Sequence, residues 1–244
     1  MTNSQSKLIR SLHDKKNRQE LGLFLVEGAK SVIEVLQSDF EIQQLFSTST
    51  FSDQNFELIE SKVGRAEITE AFELEKAGTL ETNDSVIAIV KQKNNTLPNL
   101  SKDDLVLALD DVRDPGNLGT IIRIADWYGI KNIIASKTST DFYNSKVISA
   151  SKGSFTRVNI FYTDLKEVLA NTKKPILGAF MTGEDVHNFK FPKKGILVMG
   201  NESNGICPEI EALVTNKITI PRYGQAESLN VGIATAIIID NWKK

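Results

Sequence analysis

Apolar runs alternate with polar, glycine-containing breaks along the chain, and the rhythm differs between its first hundred residues and the remainder. The pattern from Ser4 to about Arg18 predicts a short basic helix, followed by a strand from Leu21 to Val26. From Glu27 to Leu36 apolar positions recur at helical spacing, which predicts a helix burying Val32, Val35 and Leu36. Strands are expected at Ile42–Thr48 and Ser85–Val90, with a helical segment around Thr69–Lys76, giving a compact α/β unit. The stretch from Lys91 to Lys102 is polar, contains Pro98 and lacks periodicity, so it reads as a linker.

Beyond Asp103, strands are predicted near residues 105–110, 132–136, 156–161, 175–180, 195–200 and 217–221. They alternate with helices near 118–128, 144–151, 164–170, 208–214 and 229–242. Such alternation implies an α/β fold with a mainly parallel sheet covered by helices on both faces. Ligands of open α/β sheets gather beyond the carboxyl ends of the strands, and three polar loops fall at such ends.

In the first loop, Asp114, Pro115 and Gly116 have the composition of a tight turn, and Asn117 is expected to cap a helix over Gly119–Tyr128. Arg123 lies roughly 9 Å further along that helix, but side chains lean toward the N-terminus and arginine is long enough to reach the mouth. In the second loop, the apolar strand Ile196–Met199 ends at Gly200, where a missing Cβ permits close approach by a ligand. Asn201 and Glu202 follow, Gly205 ends the turn, Pro208 suits an early helical position, and Glu209 and Glu211 suit the positive helix end. In the third loop, Gly224 permits a turn, and Glu227, Ser228, Leu229 and Asn230 lead into an apolar helix rich in small residues. There Gly232 and Ala236 allow close packing against another helix or a partner subunit, although a plain buried core helix is the more frequent meaning of such residues. Ser228 has no neighbouring histidine and no nucleophile-elbow motif, so hydrogen bonding is its expected role.

Other chemistries are disfavoured. Ile206 and Cys207 stand where a Walker loop needs lysine and a hydroxyl residue, and the dinucleotide glycine fingerprint is missing. Cys207 is the sole cysteine and His13 and His187 are isolated, so neither an internal disulfide nor a metal site is expected. With 41% hydrophobic residues in 244, the chain can bury a substantial core, but no run reaches the roughly 18 apolar residues of a membrane span. The N-terminal residues carry no apolar leader pattern, and a cytoplasmic location is expected.

The net charge of −2 is unevenly spread and so does not settle whether nucleic acid is a partner. Residues 1–30 carry six Lys/Arg against three Asp/Glu, residues 31–100 five against twelve, and residues 101–244 eighteen against sixteen. Lys7, Arg10, Lys15, Lys16 and Arg18 therefore form either an RNA-contacting face or a solvated helical one.

Taken in order, Asn117 with Arg123, Gly200 to Glu202, and Glu227 to Asn230 resemble the three motifs of the SpoU/TrmH branch of the SPOUT RNA methyltransferases. The likeness runs from Leu105 to Trp242, and Lys7–Lys30 is similar to the ribosomal-protein-like substrate-binding domain that precedes many members. This resemblance implies an RNA substrate-binding domain over residues 1–92, a linker over 93–103, and a methyltransferase domain over 104–244. The last would contain a deep trefoil knot, which ordinary chain-connection rules would not propose.

The resemblance also implies S-adenosylmethionine as cofactor, held by Thr182, Met199, Gly200, Ile220 and Leu229, and a homodimer with the site near the subunit boundary. The implied reaction is methyl transfer to an RNA ribose 2′-hydroxyl. The N-terminal domain favours ribosomal RNA as target over tRNA; a non-catalytic RNA-binding protein of the same fold is a further alternative. The implied catalytic set is Asn117, Arg123, Glu202, Ser228 and Asn230. Arginine stays protonated well above neutral pH, so Arg123 suits a phosphate anchor and stabiliser of alkoxide charge better than a general base. A substrate phosphate or water would then take the proton. Asn117 and Asn230 would orient the ribose or the arginine, and Glu202 would fix Arg123 or its own loop. Ser203 and Asn204, where a glycine often follows the glutamate, and Cys207, where a hydroxyl residue often caps the helix, depart from the family pattern.

Overall fold

The computed structural model describes residues 1–80, 83, 85–97, 99–102 and 105–244; Pro98 and Asp103 of the expected linker and Asp104 beyond it lie outside the described residues. The chain divides into two compact units, Met1–Asn94 with Asp141–Thr156, and Asn95–Thr140 with Arg157–Lys244.

The first unit opens with two helices, α1 (Asn3–Ser11) and α2 (Lys15–Leu21), in place of the single basic helix the pattern suggests. The break has a local cause. Asp14 takes an extended conformation and its carboxylate accepts the Lys16 and Asn17 amides, capping a new helix. After β1 (Leu23–Glu27) and α3 (Ala29–Leu36) come β2 (Ile42–Ser47), α4 (Ser49–Gln54), α5 (Phe56–Val63), β3 (Glu67–Ile68), α6 (Ala71–Ala77) and β4 (Val86–Lys91). The strands form a mixed sheet in the order β1-β4-β2-β3. Val32, Val35 and Leu36 are buried on α3 as their spacing predicts.

The second unit begins with β5 (Leu105–Leu109), α7 (Pro115–Trp127) and β6 (Asn132–Ser136). The next helix, α8 (Ser145–Ser151), belongs to the first unit. The second unit resumes with β7 (Asn159–Thr163), α9 (Leu165–Ala170), β8 (Ile176–Asp185), β9 (Gly195–Met199), α10 (Pro208–Glu211), β10 (Asn216–Thr219) and α11 (Val231–Lys243). Its six strands run in the order β10-β8-β9-β5-β6-β7, every neighbouring pair parallel. The central strands β5 and β9 are buried along their whole length, as expected of strands covered on both faces. Val106, Ala108, Ile196 and Val198 join Leu165, Leu169 and Ile210 of α9 and α10 in one core layer.

Two sets of contacts hold residues 141–156 in the first unit. Phe24 meets the rings of Phe40, Tyr143 and Phe155 at centroid distances of 5.6, 4.6 and 6.4 Å. Arg18, 3% exposed, donates from Nε and Nη2 to one Asp141 oxygen at 3.1 and 2.7 Å, and from Nη1 to the Leu12 and His13 carbonyls. Arg18 is therefore removed from the candidate RNA-contacting cluster: its guanidinium is fully engaged inside the unit. Burial also pushes the Tyr143 phenol up to about 12, and its oxygen accepts the Lys93 amide.

Candidate active site

The three polar loops meet beyond the carboxyl ends of β5, β9 and β10. The first begins at Asp110, whose buried carboxylate accepts the Cys207 amide at 2.7 Å and so ties the start of α10 to the end of β5. Cys207 stands at the N-cap position of α10 and its side chain makes no capping bond. Pro208 occupies the first turn of α10, with Glu209 and Glu211 beside the positive helix end as expected.

Asn117 is not the helix cap predicted from its composition. α7 begins two residues earlier, at Pro115, and Asp114 is the capping residue, its carboxylate accepting the Asn117 amide at 2.7 Å. Proline fits the first helical position because its missing N–H needs no partner there. The shift leaves the Asn117 side chain free to bridge two other loops. Its Nδ2 donates to Glu202 Oε1 at 3.0 Å, and its Oδ1 accepts from Asn230 Nδ2 at 2.7 Å. Asn230 Oδ1 in turn caps α11, accepting the Gly232 and Ile233 amides at 2.9 and 3.3 Å.

The polarity of this chain is forced at both ends. An ionised carboxylate only accepts and a backbone N–H only donates, so both intervening amides have one compatible orientation. Side chains thereby join three segments distant in sequence.

Beside this chain lies a cavity of about 1020 Å³. Thr182, Met199, Gly200, Glu202, Ile220, Ser228 and Leu229 line it, seven of the ten residues nominated from sequence. Asn117 and Asn230 join it through Glu202. Arg123 stands apart: it is exposed on α7, is not part of the cavity wall, and among the described residues makes no hydrogen bond or ion pair. Glu202 holds Asn117 rather than Arg123.

Gly200 lies in the cavity wall where the loop folds back on itself. A Cβ there would fall 2.3 Å from the Gly205 carbonyl carbon and 2.4 Å from the Ile206 nitrogen. The close approach is thus by the loop's own returning backbone, closed by paired Asn201 and Gly205 amide–carbonyl bonds at 2.9 Å. Asn201, placed in the second loop by the sequence but given no role there, donates from Nδ2 to the Asp111 carbonyl at 2.8 Å while its Oδ1 accepts the Ser203 and Asn204 amides. Its signal was an asparagine at the first turn position after a strand. Asp111 and Arg113 were likewise given no role.

The cavity suits a nucleoside-bearing cofactor. Its size is at the upper end of small-molecule pockets, roughly 300–1,000 Å³. Apolar Met199, Ile220 and Leu229 offer surface for a flat ring, and the tightly folded Gly200–Gly205 loop leaves backbone as part of the wall. Among the described residues no group of histidine, cysteine and carboxylates could hold a metal ion.

Residues 104–240 match the SpoU rRNA Methylase family. The chain belongs to the SpoU rRNA methylase family. Residues 3–88 of this SpoU chain match the MRM3-like substrate binding domain. It is 29% identical over 249 residues to the Bacillus subtilis 23S rRNA (guanosine(2553)-2′-O)-methyltransferase RlmP, covering 97% of this chain and 95% of that protein. A solved structure of an AdoMet-bound rRNA methyltransferase from Sinorhizobium meliloti superposes with a TM-score of 0.89 at 29% identity, covering 100% of this chain and 95% of that one. The tRNA (guanosine(18)-2′-O)-methyltransferase of Aquifex aeolicus is 32% identical over 149 residues, 56% of the SpoU chain and 67% of its own. The shared parallel α/β architecture agrees with the fold class expected from sequence.

Proposed function

We propose that this protein transfers a methyl group from S-adenosylmethionine to a ribose 2′-hydroxyl of RNA, with ribosomal RNA as the substrate class. The observation that carries the reading is the Glu202–Asn117–Asn230 chain beside a cavity lined by all five residues expected to hold the cofactor. End-to-end similarity to an rRNA enzyme, against partial overlap with a tRNA enzyme, supports the choice of RNA.

The bound cofactor supplies an electrophilic methyl group on a sulfonium that departs as a neutral thioether. Met199, Ile220 and Leu229 would hold its apolar parts, with Thr182 and the Gly200 backbone alongside. The protein must then align a neutral hydroxyl, a poor nucleophile, and ease the loss of its proton. Asn117 and Asn230, fixed by their mutual bond, would orient the ribose, and Ser228 is exposed at the cavity wall to hydrogen-bond it. Arg123, with its donors free, would neutralise charge on the reacting oxygen and a neighbouring phosphate. A substrate phosphate or water would accept the proton.

Residues 1–92 would serve as the RNA substrate-binding domain, joined by residues 93–103 to the catalytic domain of residues 104–244, in which the segment from β9 through α11 would form the trefoil knot. A homodimer through α7 and α11 would cover Trp127 and Ile233, 84% and 54% exposed, and bring each Arg123 toward its partner's site. Gly232 packs on Thr120 within this helix pair, so the pair itself is already closely fitted. A cytoplasmic location accords with the finding that no described helix is long and apolar enough to cross a membrane.

The test is a nucleoside-resolution map of 2′-O-methyl marks in unmodified 23S ribosomal RNA and tRNA treated with the protein and labelled cofactor. A single ribose mark in ribosomal RNA is expected. Absence of any mark and of cofactor binding would sink the assignment, whereas marks confined to tRNA would redirect it.

A further inference from the structure

Arg113, outside the family motif residues, is held in an unusual way. It springs from the loop after β5, two residues past Asp111, and its side chain is 69% exposed. Asp111 has φ = 59°, a left-handed conformation that non-glycine residues adopt seldom and at a cost. Contacts to both its backbone and its carboxylate over-determine it. Its N–H donates to Ser136 Oγ at 2.9 Å, its carbonyl and Oδ2 accept from Asn201 Nδ2 at 2.8 and 3.2 Å, and its Oδ1 accepts from Arg113 Nε at 3.0 Å. Strain retained by this many contacts is characteristic of functional loops.

The geometry uses the Nε edge of the guanidinium and leaves both Nη groups without partners among the described residues. Asn201, which grips Asp111, precedes Glu202 of the amide chain, and the Glu202 carboxylate acts on Arg113: pairing with Asp111 first, and Glu202 in addition, hold its guanidinium above the ordinary value. Glu202 and Glu227 stand in the cavity wall with Arg222 and Lys217, and Arg113 adds a cation fixed on the loop after β5 for an approaching RNA backbone. A guanidinium presenting two Nη groups in a plane matches the oxygens of a phosphate.

We infer that Arg113 is a further substrate-positioning residue: Asp111 splints its guanidinium so that the free Nη groups receive a backbone phosphate of RNA beside the target ribose. The inference rests on the methyl-transfer reading for the identity of the substrate, but the phosphate contact is judged by binding alone. The test compares wild type, Arg113→Ala, Arg113→Lys and Asp111→Gly, using an unmodified 23S ribosomal RNA transcript. RNA affinity is measured across salt concentrations, with kcat and KM for methyl transfer and the affinity for S-adenosylmethionine alongside.

Arg113→Ala should weaken RNA binding roughly tenfold and flatten the plot of log affinity against log salt by about 0.7–0.9, leaving cofactor affinity unchanged. Arg113→Lys should restore the salt slope but only part of the affinity, because charge remains and the fork is lost. Glycine adopts the left-handed conformation readily, so Asp111→Gly should fold while leaving Arg113 unsplinted; RNA KM should rise with the salt slope kept. Unchanged affinity and slope in Arg113→Ala would overturn the phosphate contact, and unchanged KM in Asp111→Gly would overturn the splint. Wild type that binds this RNA but leaves no 2′-O-methyl mark would instead overturn the proposed reaction.

Discussion

Asn230 does two separable things, and two substitutions at this position should pull them apart. Its Oδ1 caps α11 through Gly232 and Ile233, and its Nδ2 donates to Asn117. Asn230→Ala removes both: about 1 kcal/mol for the cap and about 0.5 kcal/mol for a hydrogen bond between exposed partners. At about 4 °C per kcal/mol for a unit of this size, the second unit should melt roughly 6 °C lower. Asn230→Asp keeps an acceptor over the α11 N-terminus, where negative charge is favourable, so the cap survives. The carboxylate cannot donate to Asn117, however, and the two oxygens would repel, detaching Asn117 from α11. Thermal unfolding paired with initial rates of methyl transfer reads the two functions independently. The expected result is a Tm about 2 °C lower for Asn230→Asp, where only the bond to Asn117 is lost, a drop of roughly 6 °C for Asn230→Ala, and a large loss of kcat in both. Wild-type turnover in Asn230→Asp would refute the idea that the forced amide polarity orients the substrate; an equal Tm drop in both variants would refute the capping account.

Arg123→Ala should leave stability within about 0.5 kcal/mol, since the side chain is exposed and unpaired among the described residues, while lowering kcat by roughly a hundredfold or more. Near-normal turnover in Arg123→Lys would count against a specific guanidinium contact. Arg18→Ala should destabilise the first unit by about 3–5 kcal/mol in urea unfolding, because it leaves Asp141 and two carbonyls without their buried donor; a loss below about 1 kcal/mol would show that water replaces it. Burial acts upward on the Asp111 carboxyl, but hydrogen bonds from Arg113 and Thr138 and the Arg113 charge outweigh it and hold the group below its usual range. Its stabilising contribution is therefore complete above the unfolded value near 3.9 and is lost as pH falls through the lower folded value. Acid titration followed by circular dichroism should show Asp111→Asn losing less stability than wild type across that window.

The fold was most legible where burial is complete. β5 and β9 are apolar throughout because both faces are covered, and the run of residues alone located them. Legibility failed where few side chains face inward. α4 and α5 bury one residue each, Phe51 and Ile59, too few to impose a helical period. The far half of β8 carries exposed residues at Met181–Glu184, so its end was placed five residues early. At the site, residue types were readable but their partners were not. Glu202 and Asn117 are 85 positions apart, and Asn117 and Asn230 are 113. Local patterns carry no record of such pairings. Asn117 was misread as a cap because asparagine suits that position well; the proline two residues before it, preceded by Asp114, was the better guide.

The passage from Asp141 to Thr156 has a practical meaning for anyone who divides this chain. A fragment cut after Asn94 would keep every strand of the parallel sheet yet carry Tyr143 and Phe155 stripped of the Phe24 and Phe40 rings they pack on. The complementary fragment would hold Arg18 with its carboxylate gone. Neither half owns all of its interior, so transplanting the first unit onto a foreign second unit means moving sixteen residues from the middle of the sequence as well.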